Sequence, residues 1–195
     1  MGRPWDASYH DGPAPWDIGP QPAVVRLAAA GAFTGTVLDA GCGSGDNALH
    51  LASLGLPVLG CDVAETALAR ARAKAADGGL DVAFVWADAF HLDALGRTFT
   101  TVLDCGLFHT FDREEHPAYA ASLASVTEPG GTVYVLCFSD AGPDTGPHPV
   151  TQDGLRAAFQ PGAGWDVVTI AAARVHTRFH GDDGAPAWLA RVTRL

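Results

Sequence analysis

The stretch VLDAGCGSGDN at 37–47 runs a short apolar segment into three glycines, Gly41, Gly43 and Gly45, with helix-forming residues directly behind them. A strand that ends in such a loop and turns at once into a helix starts an α/β unit. Glycine reaches positive φ and lets ligand atoms approach the main chain, while the helix start favours electron-rich groups. The spacing is GxGxG. A dinucleotide fingerprint, GxGxxG, needs glycine at position 46, where this chain has Asp46. An acid beside a pyrophosphate would repel it, so NAD is disfavoured. A turn that merely packs strand on helix is the competing reading.

Apolar, β-rich runs then alternate with helical ones. Strands are expected at 36–40, 57–62, 82–86, 100–105 and 132–138, mostly as continuous apolar runs suited to parallel strands covered on both faces. Two more strands are expected near 166–172 and 187–193. Helices are expected at 22–30, 47–54, 64–76, 117–126 and near 152–159. The fourth of these is read as ending before Pro129-Gly130-Gly131. The order predicts a doubly wound α/β sheet with its ligands at the carboxyl ends of the strands. At 195 residues and 48% hydrophobic composition, a single domain over 1–195 is expected.

Two acids extend the glycine loop into a site. Asp62 ends the second strand, about 20 residues past the loop, where such folds grip ribose hydroxyls. Asp88, in WADAF after the third strand, is placed to accept from an exocyclic amine. Each has a plainer alternative. Asp62 could serve the next helix together with Glu65 as a capping box, and Asp88 could simply end its strand.

DAGCGSG, GCDVAETAL, WADAF and EPGGTVYVL together resemble the successive motifs of class I S-adenosylmethionine-dependent methyltransferases, over nearly the whole chain. The resemblance implies a Rossmann-like sheet of seven strands, mostly parallel with the last antiparallel, and S-adenosylmethionine as cofactor. On the matching positions, Asp39 and Gly41 would lie along the methionine part, with Gly43 in the same loop. Asp62 would hold the ribose with Val63 beside it, Asp88 and the amide of Ala89 would read adenine, and Asp104 would complete the cofactor set. Ala64 departs from the pattern, since many relatives carry a helix-capping Ser there.

WDASYHDGPAPWDIG, DCGLFHTF and AWLARVTR are similar to the thiopurine, halide/thiol and heterocyclic-toxin methyltransferase group. That likeness implies an N-terminal arm, residues 1–20, closing over the pocket, with Trp5 and Trp16 against the cofactor. An arm packed on the sheet edge is the alternative. Tyr9, Phe108, Phe111 and Phe138 are expected to wall the acceptor, and the loop at 140–149 to complete its site.

Methyl transfer to a heteroatom asks for alignment, exclusion of water and, for a hydroxyl or N–H acceptor, a base. His109, in the segment after the fourth strand, is the candidate base among eight histidines. His10, His148, His176 and His180 are expected at the surface. His50 falls in the helix after the glycine loop, and no motif recommends His91 or His116. No HxH spacing and no supporting Cys/His cluster points to a metal. The four cysteines, Cys42, Cys61, Cys105 and Cys137, lack any CxxC pairing and read as free thiols in a cytoplasmic protein. A net charge of −10 and the absence of a long apolar run argue against nucleic-acid and membrane partners. A small-molecule acceptor and a monomer or homodimer are expected. A catalytically silent S-adenosylmethionine-binding module, or a partner subunit of a larger enzyme, is the alternative function.

Overall fold

The computed structural model describes residues 5–142 and 147–195. Seven strands form one sheet: β1 (Val37–Ala40), β2 (Val58–Asp62), β3 (Ala83–Trp86), β4 (Phe99–Cys105), β5 (Thr127–Phe138), β6 (Trp165–Val175) and β7 (Ala185–Arg194). Their order across the sheet is β3-β2-β1-β4-β5-β7-β6. The first five run parallel, and β7 is antiparallel to both of its neighbours. The expected sheet is therefore observed.

The apolar runs explain the layering. All four residues of β1 are buried, as a strand covered on both faces requires. On one face, α1 (Pro22–Ala29), α2 (Asp46–Ser53) and α3 (Glu65–Gly78) pack Val24, Leu51, Leu68 and Ala71 against Val37, Val58 and Leu103. On the other, α4 (His116–Val126) and α5 (Gln152–Ala158) pack Tyr119, Leu123 and Leu155 against Val102, Val133 and Val135. β1 is flanked by β2 on one side and β4 on the other, so the winding reverses there and a crevice opens at the carboxyl ends.

One boundary differs from the sequence reading. Pro129-Gly130-Gly131 lies inside β5 and not between helix and strand. Phe99 pairs with Thr127 and Thr101 with Thr132, so four residues of β5 bulge out of the ladder. Gly130, at φ +78, permits the excursion.

A second difference concerns α3. The residue before it, Ala64, offers no side-chain cap, and Glu65 pairs with Arg72 at 2.5 Å instead of closing a capping box. The cap comes from the arm. Asp6 accepts from the Thr66 amide at 2.7 Å and from its hydroxyl at 3.0 Å. Arg70 donates back to the carbonyl of Tyr9.

Candidate active site

A cavity of about 780 Å³ fills the crevice, within the upper part of the range of roughly 300–1,000 Å³ usual for small-molecule and cofactor sites. Its floor is the set of turns that follow the parallel strands. The arm and the loop between β6 and β7 close its sides.

The glycine loop forms one wall. Gly43 has φ +52, and a Cβ built on it would lie 2.8 Å from the Tyr9 hydroxyl, so the arm rests on bare main chain. Gly45, at φ +84, starts α2 with no room for a side chain, because Ala71 and Phe84 lie 2.8 Å from where its Cβ would be. The Tyr9 hydroxyl accepts from the indole of Trp16 at 2.8 Å, and Trp16 meets Trp5 edge-on at 5.9 Å. Trp5, Tyr9 and Trp16 all line the cavity. Tyr9 thus sits with the glycine loop and the two indoles, away from the acceptor wall expected for it.

Asp62 faces the same space. Its two oxygens accept the amides of Gly43 and Ala64, each at 2.8 Å. It braces the start of α3 and lines the cavity with lone pairs to spare. Burial raises its pKa, against which the amides of Ala64 and Gly43 work. Val63, Asp88 and Ala89 line the cavity beside it. Asp88 accepts the Phe90 amide at 2.9 Å through one oxygen only.

Three expected site residues are placed elsewhere. Asp104 is fully buried and outside the cavity lining. It accepts from the amides of Leu107 and Phe108 at 2.9 and 3.2 Å and from the Tyr119 hydroxyl at 2.9 Å, so it braces the turn after β4. Phe108 is fully buried too, stacked on His116 at 4.0 Å and packed on Phe159; it belongs to the core. Asp39 is 1% exposed beneath the loop, and neither of its oxygens has a hydrogen-bond partner of good geometry. Burial drives its pKa up to about 7, opposed in part by the Ala48 amide.

The remaining wall is aromatic. Phe90 and Phe111 meet at 4.7 Å, and Phe138 lies between His109 at 4.2 Å and His180 at 5.6 Å. His109 is 5% exposed and lines the cavity. Burial lowers its pKa to about 3, with His148 adding a smaller effect in the same direction. Its Nδ1 accepts the Phe138 amide at 3.2 Å. That contact corrects the expected base. A ring whose Nδ1 is an acceptor already carries its proton on Nε2, and a second proton has nowhere to go without breaking the bond.

Several lining residues were not anticipated. Trp86 ends β3 and donates to the Val63 carbonyl; the WADAF motif contained it. Gln21 donates from its main chain to Asn47, and its side chain bonds both main-chain groups of His176. Thr177, Phe179 and His180, on the β6–β7 loop, had no local signal. Within the expected 140–149 loop, Pro147 lines the cavity, while residues 143–146 lie outside the described residues. Among the described residues, no three His, Cys, Asp or Glu side chains converge as a metal site, and no helix is long and apolar enough to cross a membrane.

Fold and cavity together define an α/β protein of the Rossmann-like class, with its ligand site at the switch point of the sheet. The chain belongs to the methyltransferase family and is an enzyme of that family: residues 37–131 match the methyltransferase domain. The 2-heptyl-1-hydroxyquinolin-4(1H)-one methyltransferase of Mycobacteroides abscessus is 39% identical over 178 residues, covering 88% of this chain and 78% of that protein. Thiocyanate methyltransferase 1 of Brassica oleracea is 29% identical over 146 residues, 73% of this chain and 65% of that one. A solved structure concerned with conversion of a disulfide bond into a thioacetal group during echinomycin biosynthesis superposes with a TM-score of 0.82. It is 36% identical and covers 92% of this chain and 84% of that one.

Proposed function

We propose that this enzyme moves the methyl group of S-adenosylmethionine to a heteroatom of a small aromatic heterocycle, with hydroxyquinolones as the first acceptor class to try. The observation that carries the reading is the make-up of the cavity wall. Asp17, Asp46, Asp62 and Asp88 line it, and no Lys or Arg does among the described residues. Such a wall favours a cationic sulfonium and disfavours phosphate or pyrophosphate. The opposite wall, of Phe90, Phe111 and Phe138, suits a flat ring.

When bound, the cofactor supplies an electrophilic methyl group on a positively charged sulfur. Asp62 would hold the ribose hydroxyls through its remaining lone pairs, with Val63 beside the sugar, and Asp88 and the Ala89 amide would take the adenine edge. Gly41 and Gly43 would line the methionine end of the site, with Trp5, Tyr9 and Trp16 excluding water from it. Phe111 and Phe138 would align the acceptor ring with the methyl group. Proximity and desolvation supply the rate, with no covalent intermediate and no metal.

The M. abscessus relative suggests the hydroxyquinolone, and the plant relative keeps thiols in the panel. Four free thiols fit a reducing compartment, so the cytoplasm is the proposed location, with a monomer or homodimer as the working unit. Calorimetric titration with S-adenosylmethionine, S-adenosylhomocysteine and NAD is the first test; micromolar binding of the first two and none of NAD is expected. Release of S-adenosylhomocysteine with quinolones, phenazines, phenols or thiols would then identify the acceptor class. Binding without turnover on the whole panel would sink the proposed acceptor class.

A further inference from the structure

The rung that holds His109 has a backbone cause. On its β4 side, β5 receives its last regular bond where the Gly106 amide donates to the Leu136 carbonyl. β4 ends at Cys105, so the Phe138 amide, next on that edge, has no strand to meet. A buried amide left without an acceptor is destabilising. His109 Nδ1 is its acceptor. The turn that carries the ring is fixed by Asp104 and by the Thr110 hydroxyl, which donates to the Leu107 carbonyl at 2.7 Å.

The neutral ring therefore has one N–H, on Nε2, and no described residue accepts from it. Among the described residues, the titratable group acting on the ring is His148, itself paired with Asp112 at 3.3 Å, and no carboxylate pairs with the ring. A nearly buried donor on a cavity wall, with no acceptor among the described residues, is suited to pair with a ligand atom. We infer that His109 is a selectivity residue: its Nε2–H is reserved for a lone-pair oxygen on the ring being methylated, so the acceptors are hydroxy- or oxo-heterocycles that lose their own proton before transfer. The inference rests on the reading of the cavity as a methyl-acceptor site. In the step itself, the acceptor oxyanion or its conjugated nitrogen forms the new bond to carbon. The electron pair of the broken bond returns to sulfur, and the acceptor's proton has already gone to solvent.

Two measurements test it. Nitrogen NMR of ¹⁵N-histidine-labelled protein should show His109 as the Nε2–H tautomer, unchanged from pH 5.5 to 8.5. Titration within that range, or a proton on Nδ1, overturns the inference whatever the acceptor proves to be. The second uses His109→Gln, whose side-chain oxygen can take the Phe138 amide while its NH₂ faces the cavity, beside His109→Leu, which keeps neither group. With 1-hydroxyquinolin-4(1H)-one, H109Q should stay within about tenfold of wild-type kcat/KM and H109L should fall about 100-fold. With thiophenol, the two should differ by less than about threefold. S-adenosylhomocysteine calorimetry on each variant shows that the fold and cofactor site survive. Equal losses in both variants on both acceptors would reduce His109 to packing. A wild type that methylates thiophenol but no oxygenated ring would overturn the acceptor class while leaving methyl transfer itself intact.

Discussion

The carboxylate of Asp6 caps α3 from sixty residues away, accepting both the amide and the hydroxyl of Thr66. Helix start and arm attachment are one interaction, so loosening either loosens both. Asp6→Ala should fray the first turn of α3 and lift the arm from Gly43. Hydrogen exchange at the Thr66 amide should accelerate, and S-adenosylhomocysteine affinity should fall several-fold. The bond to the Thr66 amide, and then that to His10, holds the Asp6 carboxyl below the usual aspartate range. A lowered folded pKa contributes stability above the unfolded value, lost as pH falls through the folded one. Release of the arm, followed by the fluorescence of Trp5 and Trp16, should therefore begin only below about pH 4. An arm equally well anchored in the Ala variant would contradict this.

Asp62 bonds two main-chain amides and faces the cavity. Asp62→Ala should cost roughly 1–3 kcal/mol of cofactor binding, about fivefold to 150-fold in Kd. Circular dichroism should show the sheet intact. Unchanged affinity in the folded variant would remove Asp62 from the site.

Gly43→Ala places a methyl group at φ +52 and 2.8 Å from the Tyr9 hydroxyl. Both strain and contact push Tyr9 away and break its bond to Trp16. The expected result is a red-shifted tryptophan emission and at least tenfold weaker cofactor binding. Loss of stability without any change at Trp16 would show that the arm does not rest on the loop.

Asp39 supplies a pH dependence of opposite sign to Asp6. Burial raises its folded pKa to about 7, above the model-peptide value for aspartate. The folded state then binds more protons than the unfolded one between about pH 4 and 7, so stability falls as pH rises across that window. Asp39→Asn removes the contribution. Its advantage in Tm over wild type should be larger at pH 8 than at pH 5, and a constant difference would mean that Asp39 ionises normally in the fold.

The strands were legible because parallel strands buried on both faces leave uninterrupted apolar runs, as in β1 and β4. The turns after the first three strands followed from residue type at strand ends: Gly43, Asp62 and Asp88 all reach the cavity. The turn after β4 was harder. Asp104 and Phe108 have the chemistry of ligands, but which side chains at the end of β4 and in the 3₁₀ turn behind it face the cavity is set by packing against Tyr119 and Phe159. Local sequence carries no record of that. The cap on α3 was hidden for a related reason, since its donor and acceptor are joined only in space. His109 was found by position and misread by chemistry, because the amide that fixes its tautomer belongs to the end of β5.

Arg178 joins the two covers of the cavity. Its amide donates to the Pro15 carbonyl, and its guanidinium to the carbonyls of Pro13 and Asp17, tying the β6–β7 loop to the arm. The arm lies over the glycine loop, while the loop carries His180 beside the aromatic wall. Segments from opposite ends of the chain are thus joined into one cover. Two separate covers would let a spent cofactor and a methylated product leave independently. A joined one, if it opens as a unit, would make their departure a shared event, paced by how often that latch lets go.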